Sequence, residues 1–513
     1  MRRFALAAAF AVIALGSASA VELRIAQGAL RGDTTEDIAS FKDIPYAAPP
    51  VGALRWRAPQ PAPGWEGSRT AINFGPVCPQ NRRPSLFMPK LPQSEDCLTL
   101  NVWTPKAEAG AKLPVMVWIY GGGFLEGGSA MPLYDGTDLA KHGVVVVSLN
   151  YRLGVLGFFN HPAVAAEHLD EASGNFGLLD QIAALKWVQR NIASFGGDPA
   201  KVTIFGESAG GVSVNDLIAS PMARGLFVRA ISESGLGLTA VPTAQDAERD
   251  SIAFAAKLKI AGDDPAALAK LRKLKAADIL KQQGDLKTEG HVQPFIDGKV
   301  IPADVSVLFA KGEIAKVDYL AGSNSNEASL APSLGIDPVE GLSKFGDQLA
   351  RVRAIYETGG PLSDAEFARQ AFGDSLFTSG AQDLAGFVSR AGGTARVYHF
   401  AYVADSYKGK VFGVSHGGEI VYVFGLRGLG LLASRASDKD RAMIALTQSY
   451  WTNFAKTGDP NGAGLPSWPA FASASRPTLV IDDETKAVAG FRRGQVGVME
   501  IGWSRRTGLP AAP

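Results

Sequence analysis

Short runs of β-branched and aromatic residues recur along the chain with few polar interruptions. Val115-Met116-Val117-Trp118-Ile119-Tyr120 is one, and Val202-Thr203-Ile204-Phe205 is another. The stretches 144–149, 317–321 and 397–401 have the same character. Runs of this kind predict strands buried on both faces, as in a parallel sheet. Between them the period changes to three and four. In 178–194, Leu178, Ile182, Leu185, Val188 and Ile192 fall on one helical face. Residues 244–285 and 442–456 are further helical stretches, the second closed by Gly458-Asp459-Pro460. Strands alternating with helices predict an α/β fold built on a mostly parallel sheet. There is no internal repeat and no low-complexity linker. The simplest organisation is one large domain over about residues 21–513.

The first twenty residues follow a different pattern. Arg2-Arg3 precede twelve consecutive apolar residues, 4–15, and Ser17-Ala18-Ser19-Ala20 ends in an Ala-x-Ala site. A bilayer span needs about twenty apolar residues, so this is expected to be a secretory signal peptide rather than an anchor. Export gives meaning to the two cysteines, Cys78 and Cys97. An even pair in an exported chain reads as one disulfide, the alternative being two buried free thiols. The chain has no Asn-x-Ser/Thr glycan acceptor, which points to a periplasmic or secreted bacterial product. Charge adds little. The 51 basic and 50 acidic residues nearly cancel, which argues against a nucleic-acid partner and suggests a neutral or mixed small-molecule substrate.

Gly-x-Ser-x-Gly occurs twice, at Gly206-Glu207-Ser208-Ala209-Gly210 and at Gly413-Val414-Ser415-His416-Gly417. A nucleophile elbow needs a buried strand before the serine, a helix after it and small neighbours. Only Ser208 has them, between 202–205 and the helix-competent 212–218. A serine needs a base, and the base an orienting acid. Of the six histidines, His142 lies in a polar turn, His161 precedes Pro162, His168 sits among acids, and His291 is in a polar loop. His399 falls within an apolar strand. His416, on a late glycine-rich loop, fits the base best, since that base comes last in chain order. Many acids lie between serine and histidine. Glu327 stands out only because it follows a strand and a polar loop. Gly121-Gly122-Gly123-Phe124 follows the strand ending at Tyr120, where it can form either a tight turn or an oxyanion hole; its position upstream of the elbow favours the latter.

These residues sit within longer motifs. Residues 41–50 with Gly52, Arg55 and Trp56 resemble the first signature of type-B carboxylesterases, the group that also holds cholinesterases. Residues 94–102 resemble the second. Tyr120 to Phe124, Asn150-Tyr151-Arg152-Leu153-Gly154, 174–181, 205–211 and Asp459-Pro460-Asn461 with Trp468 match as well. The resemblance runs from about residue 41 to 471. It implies an α/β-hydrolase fold with Ser208 as nucleophile, Glu327 as acid and His416 as base. It implies oxyanion donors at Gly122, Gly123 and Ala209, a Cys78–Cys97 disulfide, and no metal or organic cofactor. By the same resemblance Glu95 and Arg152 form an ion pair, and Glu207 and Ser234 lie near His416. The acid's loop departs from the family, reading Gly-Ser-Asn-Ser-Asn-Glu-Ala. The loop between the cysteines has Phe87 as its only aromatic and no tryptophan, which argues against choline esters. The expected activity is hydrolysis of soluble carboxylic esters. The alternatives are a lipase working at lipid interfaces and a non-catalytic adhesion module.

Overall fold

The computed structural model describes residues 20–81, 91–167, 171–284 and 292–511. Residues 1–19 of the expected signal peptide, Phe87, His168 and His291 lie outside them. Thirteen strands form one mixed sheet among the described residues. In chain order they are β1 Val21–Ile25, β2 Gly28–Thr35, β3 Ile38–Pro45, β4 Ser68–Thr70, β5 Thr99–Thr104, β6 Leu113–Ile119 and β7 Val145–Leu149. Then come β8 Gly197–Glu207, β9 Arg229–Glu233, β10 Asp318–Asn324, β11 Ala395–Phe400, β12 Thr478–Ile481 and β13 Lys486–Val488. Their spatial order is β1-β2-β3-β5-β7-β6-β8-β9-β10-β11-β12-β13, with β4 beside β2.

From β7 to β12 every neighbouring pair is parallel. Along the flank β1-β2-β3-β5-β7 and at the β12–β13 edge the neighbours are antiparallel, while β4 lies parallel to β2. The sheet is thus that of an α/β-hydrolase, parallel at its centre. All five predicted runs enter this centre, because residues such as Val115, Val117, Val145 and Val147 are covered on both faces. Strand order reverses at β6, which has β7 on one side and β8 on the other. Such a reversal opens a crevice beyond the carboxyl ends of the strands.

The helices begin and end for local reasons. The 178–194 prediction becomes a helix over Phe176–Asn191 and a 3-10 turn over Ile192–Phe195, stopped by left-handed Gly196. The 244–285 stretch divides into Ala244–Lys257, Pro265–Lys273 and Ala276–Gln282; at the second start the Asp264 side chain accepts from the Ala267 N–H and Pro265 takes the first helical position. The third begins earlier than its apolar pattern, at Asp438, because Ser437 and Asp440 form a reciprocal capping box. Gly458, at φ 83°, ends it. Cys78 and Cys97 are joined as a disulfide and are fully buried. No helix among the described residues is long and apolar enough to cross a membrane.

One expected contact is different. Glu95 does not pair with Arg152. Arg152 leaves the end of β7 facing the helix that carries Asp180, and its Nε and one Nη bind that carboxylate at 2.8 and 2.7 Å. Glu95 instead accepts both 2.6 Å bonds of the Arg55 fork. The four residues belong to two separate bidentate pairs. Removing one partner of a buried pair strands the other charge and costs roughly 3–5 kcal/mol. Asp180→Ala is therefore expected to lower unfolding stability by about that amount. A double-mutant cycle should show strong coupling of Arg152 to Asp180 and little to Glu95.

Candidate active site

The backbone at Ser208 has φ 57° and ψ −123°, an unusual conformation for a residue with a Cβ. It arises because β8 ends at Glu207 and the helix Ala209–Ala219 begins at once. The turn can be this sharp only where neighbours lack side chains. A Cβ on Gly210 would lie 2.0 Å from the Ile119 carbonyl oxygen, and one on Gly206 would lie 2.6 Å from the same atom. On Gly121 it would lie 2.9 Å from the Ser208 Cβ. The Ser208 N–H donates to the Glu233 carbonyl at 2.9 Å, tying the turn to β9. Ser208 is half-buried, so its hydroxyl is held at the crevice rather than sealed in the core.

Ser415, in the other Gly-x-Ser-x-Gly, is exposed and lies in a loop. That loop carries His416. Its Nδ1 is 2.5 Å from Glu327 Oε2, and its backbone N–H donates to Ser329 Oγ at 2.8 Å. Glu327 is buried, and its other oxygen accepts from Ser234 Oγ and from the Asn324 N–H, both at 2.6 Å. Ser234 therefore lies behind Glu327 rather than against His416. The unusual acid loop is zipped to the histidine loop. Asn326 N–H donates to the Val414 carbonyl and Ser325 Oγ accepts from the Val414 N–H, each at 2.9 Å. His142, His161 and His399 have structural partners elsewhere: Gln448, the Ala163 N–H and Ser323.

The second imidazole nitrogen, Nε2, faces Glu207, whose Oε1 is 3.2 Å away. Nε2 has no hydrogen-bond partner among the described residues. Catalytic hydrogen bonds often form only in the substrate complex. Gly122 and Gly123 have φ of 108° and 62°, and Ala209 is the first residue of the elbow helix, where N–H groups have no intrahelical acceptor. The structure thus brings Ser208, His416, Glu327, Glu207, the Gly121–Gly123 turn and the Ala209 helix start to the carboxyl edge of β6, β8 and β10.

Two contacts were not foreseen. Phe377 packs on His416 with ring centroids 5.1 Å apart, placed by a π turn over Asp374–Thr378. Glu419, fully buried three residues past the histidine, hydrogen-bonds the Asn324 amide. Glu419 has no sequence signal beyond its closeness to His416, and Phe377 has none. The electrostatics follow from burial. Burial pushes the Glu207 carboxyl upward, opposed by His416 and reinforced by Glu327. Burial also raises Glu419 and Glu233. For His416 burial acts downward, but the carboxylates of Glu207 and Glu327 outweigh it and raise the imidazole to about 9.

The carboxylesterase family matches residues 19–498. The chain belongs to the carboxylesterase family. The para-nitrobenzyl esterase of Bacillus subtilis is 38% identical over 89% of this chain and 94% of its own. The fumonisin B1 esterase of Sphingopyxis macrogoltabida is 35% identical over 86% and 83%. The pig liver carboxylesterase is 35% identical over 85% and 84%. A solved structure of PNB esterase superposes with a TM-score of 0.79 at 35% identity, covering 93% of this chain and 99% of that one. This carboxylesterase is accordingly a carboxylic ester hydrolase.

The raised His416 pKa has two consequences. Its proton stabilises the fold below the ordinary value near 6.5, and that contribution is lost as pH rises through about 9. Activity that needs neutral His416 should therefore have its acid limb displaced upward from 6.5, rising as pH approaches about 9. In Glu207→Gln a raising charge is gone, and the acid limb of the kcat/KM profile should move down by at least about one pH unit. Steady-state kinetics from pH 5 to 10 check this.

Proposed function

We propose that this carboxylesterase cleaves its substrates through an acyl-enzyme on Ser208. The observation carrying the proposal is the bonded Glu327–His416 pair, whose imidazole faces Glu207, the residue before a serine held at a strained strand-to-helix turn. As Ser208 Oγ attacks the ester carbonyl, His416 Nε2 takes its proton, and Glu327 stabilises the resulting imidazolium. The N–H groups of Gly122, Gly123 and Ala209 receive the negative oxygen of the tetrahedral intermediate. The C–O bond to the alcohol then breaks, and the alcohol leaves with the proton from His416. Water, deprotonated by the same imidazole, attacks the acyl carbon and frees Ser208.

Asn324 and Ser234 hold Glu327, and Phe377 packs on the imidazole; these are positioning residues. The substrate class proposed is soluble esters of small acids, with benzyl and phenyl esters first to be tested in view of the para-nitrobenzyl esterase relative. We also propose that residues 1–20 direct export, a setting in which the Cys78–Cys97 disulfide would persist.

Ser208→Ala and His416→Ala are each expected to lower kcat for para-nitrophenyl acetate by at least about 10⁴-fold. Glu327→Gln should lower it by about 10⁴-fold while leaving KM within a few-fold. Unimpaired turnover in Ser208→Ala would remove the proposal. A para-nitrophenyl series from acetate to decanoate reads the acyl preference directly.

A further inference from the structure

Away from the serine, a cavity of about 200 Å³ lies between the turn after β7, the helix Ala244–Lys257 and the segment ending at Phe295. Its walls are Val155, Phe158, Phe159, Phe254 and Phe295, all at least nine-tenths buried. Ser251 and Gln293 are among its polar groups. A hollow walled by aromatic rings on several sides, with a few polar groups, has the make-up of a small-molecule site.

The cavity is not isolated from the reaction centre. Phe158 meets Phe124 edge to face, with ring centroids 5.2 Å apart. Phe124, at φ 61°, directly follows Gly122 and Gly123. Its carbonyl accepts a 2.7 Å hydrogen bond from the Gly154 N–H, at the start of the same turn that carries Val155 and Phe158. The turn Gly154–Gly157 and Phe158 therefore stand between the cavity and the glycine turn. Empty space beside Phe158 removes packing partners from one face of the ring, and a guest would restore them.

We propose that this cavity binds a compact, neutral aromatic alcohol such as benzyl alcohol, and that the guest holds Phe158 against Phe124 and so firms the oxyanion turn. The aromatic walls select the ring. Ser251 and Gln293 offer partners to the hydroxyl. Asp250 and Lys257 border the site with opposite charges, which favours a neutral guest over either ion. The kinetic half of the proposal rests on the assignment of Gly122 and Gly123 as oxyanion donors; the binding half does not.

The test uses the whole protein with benzyl alcohol as probe. Binding is measured by calorimetry on enzyme whose active-site serine has been blocked with a fluorophosphonate, so that the reaction centre cannot be the site. Kinetics are measured on unblocked enzyme with para-nitrophenyl acetate. One site should be found in the blocked enzyme. Ala253→Trp, which plugs the cavity from an exposed wall position, should weaken it at least tenfold. Ala247→Leu, which fills the space from inside, should do the same, so that misfolding of either variant leaves the other informative. Saturating probe should raise kcat at least twofold in the parent enzyme and not in the variants. Binding that disappears on blocking the serine, or survives both substitutions, overturns the site. Binding without any rise in kcat overturns the coupling. Failure of the fluorophosphonate to react at Ser208 would count against the acyl-enzyme reading instead, and cavity binding could still be read on unblocked protein.

Discussion

The backbone of Ser208 is the constraint on which the reaction centre depends. A residue with a Cβ avoids φ 57°, ψ −123° unless its surroundings leave no alternative. Here β6 and β8 run side by side, and the helix after Ser208 starts against the end of β6. Gly121, Gly206 and Gly210 meet where a single added carbon would collide with backbone. The parallel centre of the sheet thus fixes the turn, and the turn fixes two other things. It holds the hydroxyl at the crevice instead of the core, and it starts the helix against the end of β6, just before Gly122 and Gly123.

The second governing feature is the number of buried carboxyl groups around one imidazole. Glu207 and Glu327 approach its two nitrogens from opposite sides, with Glu233 and Glu419 buried nearby. Burial favours the uncharged form of a carboxyl, and like charges reinforce this. Glu233 and Glu419 are accordingly driven towards protonation, Glu233 while accepting a 2.8 Å bond from the Trp451 indole. Both oxygens of Glu327 are engaged, by Ser234, Asn324 and His416. The ion pairs Arg55–Glu95 and Arg152–Asp180 are a separate matter, joining segments outside this carboxyl cluster.

The centre of the fold was legible because its strands are buried on both faces and therefore read as uninterrupted apolar runs. β9 was not, since Arg-Ala-Ile-Ser-Glu has too few apolar residues for its pattern to show. Ser208 was separable from Ser415 by its strand and helix context, and His416 by elimination among six histidines. Glu327 was not distinguishable by spacing; only family resemblance selected it among many acids, because what marks it physically is three donors brought from distant segments. The partner of Arg152 was misjudged for the same reason. Phe377 reaches His416 through a π turn, whose one-residue change of register leaves no trace in the apolar period.

The central claim is that the acyl group passes through Ser208. Mixing the enzyme with para-nitrophenyl acetate, quenching in acid within the first turnover and mapping the digest by mass spectrometry tests it most directly. An acetyl group on the peptide containing Ser208, absent in His416→Ala and lost on longer incubation, is the predicted result. An acetyl group on another residue, or nitrophenol released at full rate with no acyl-protein formed under conditions that trap one, would contradict the account.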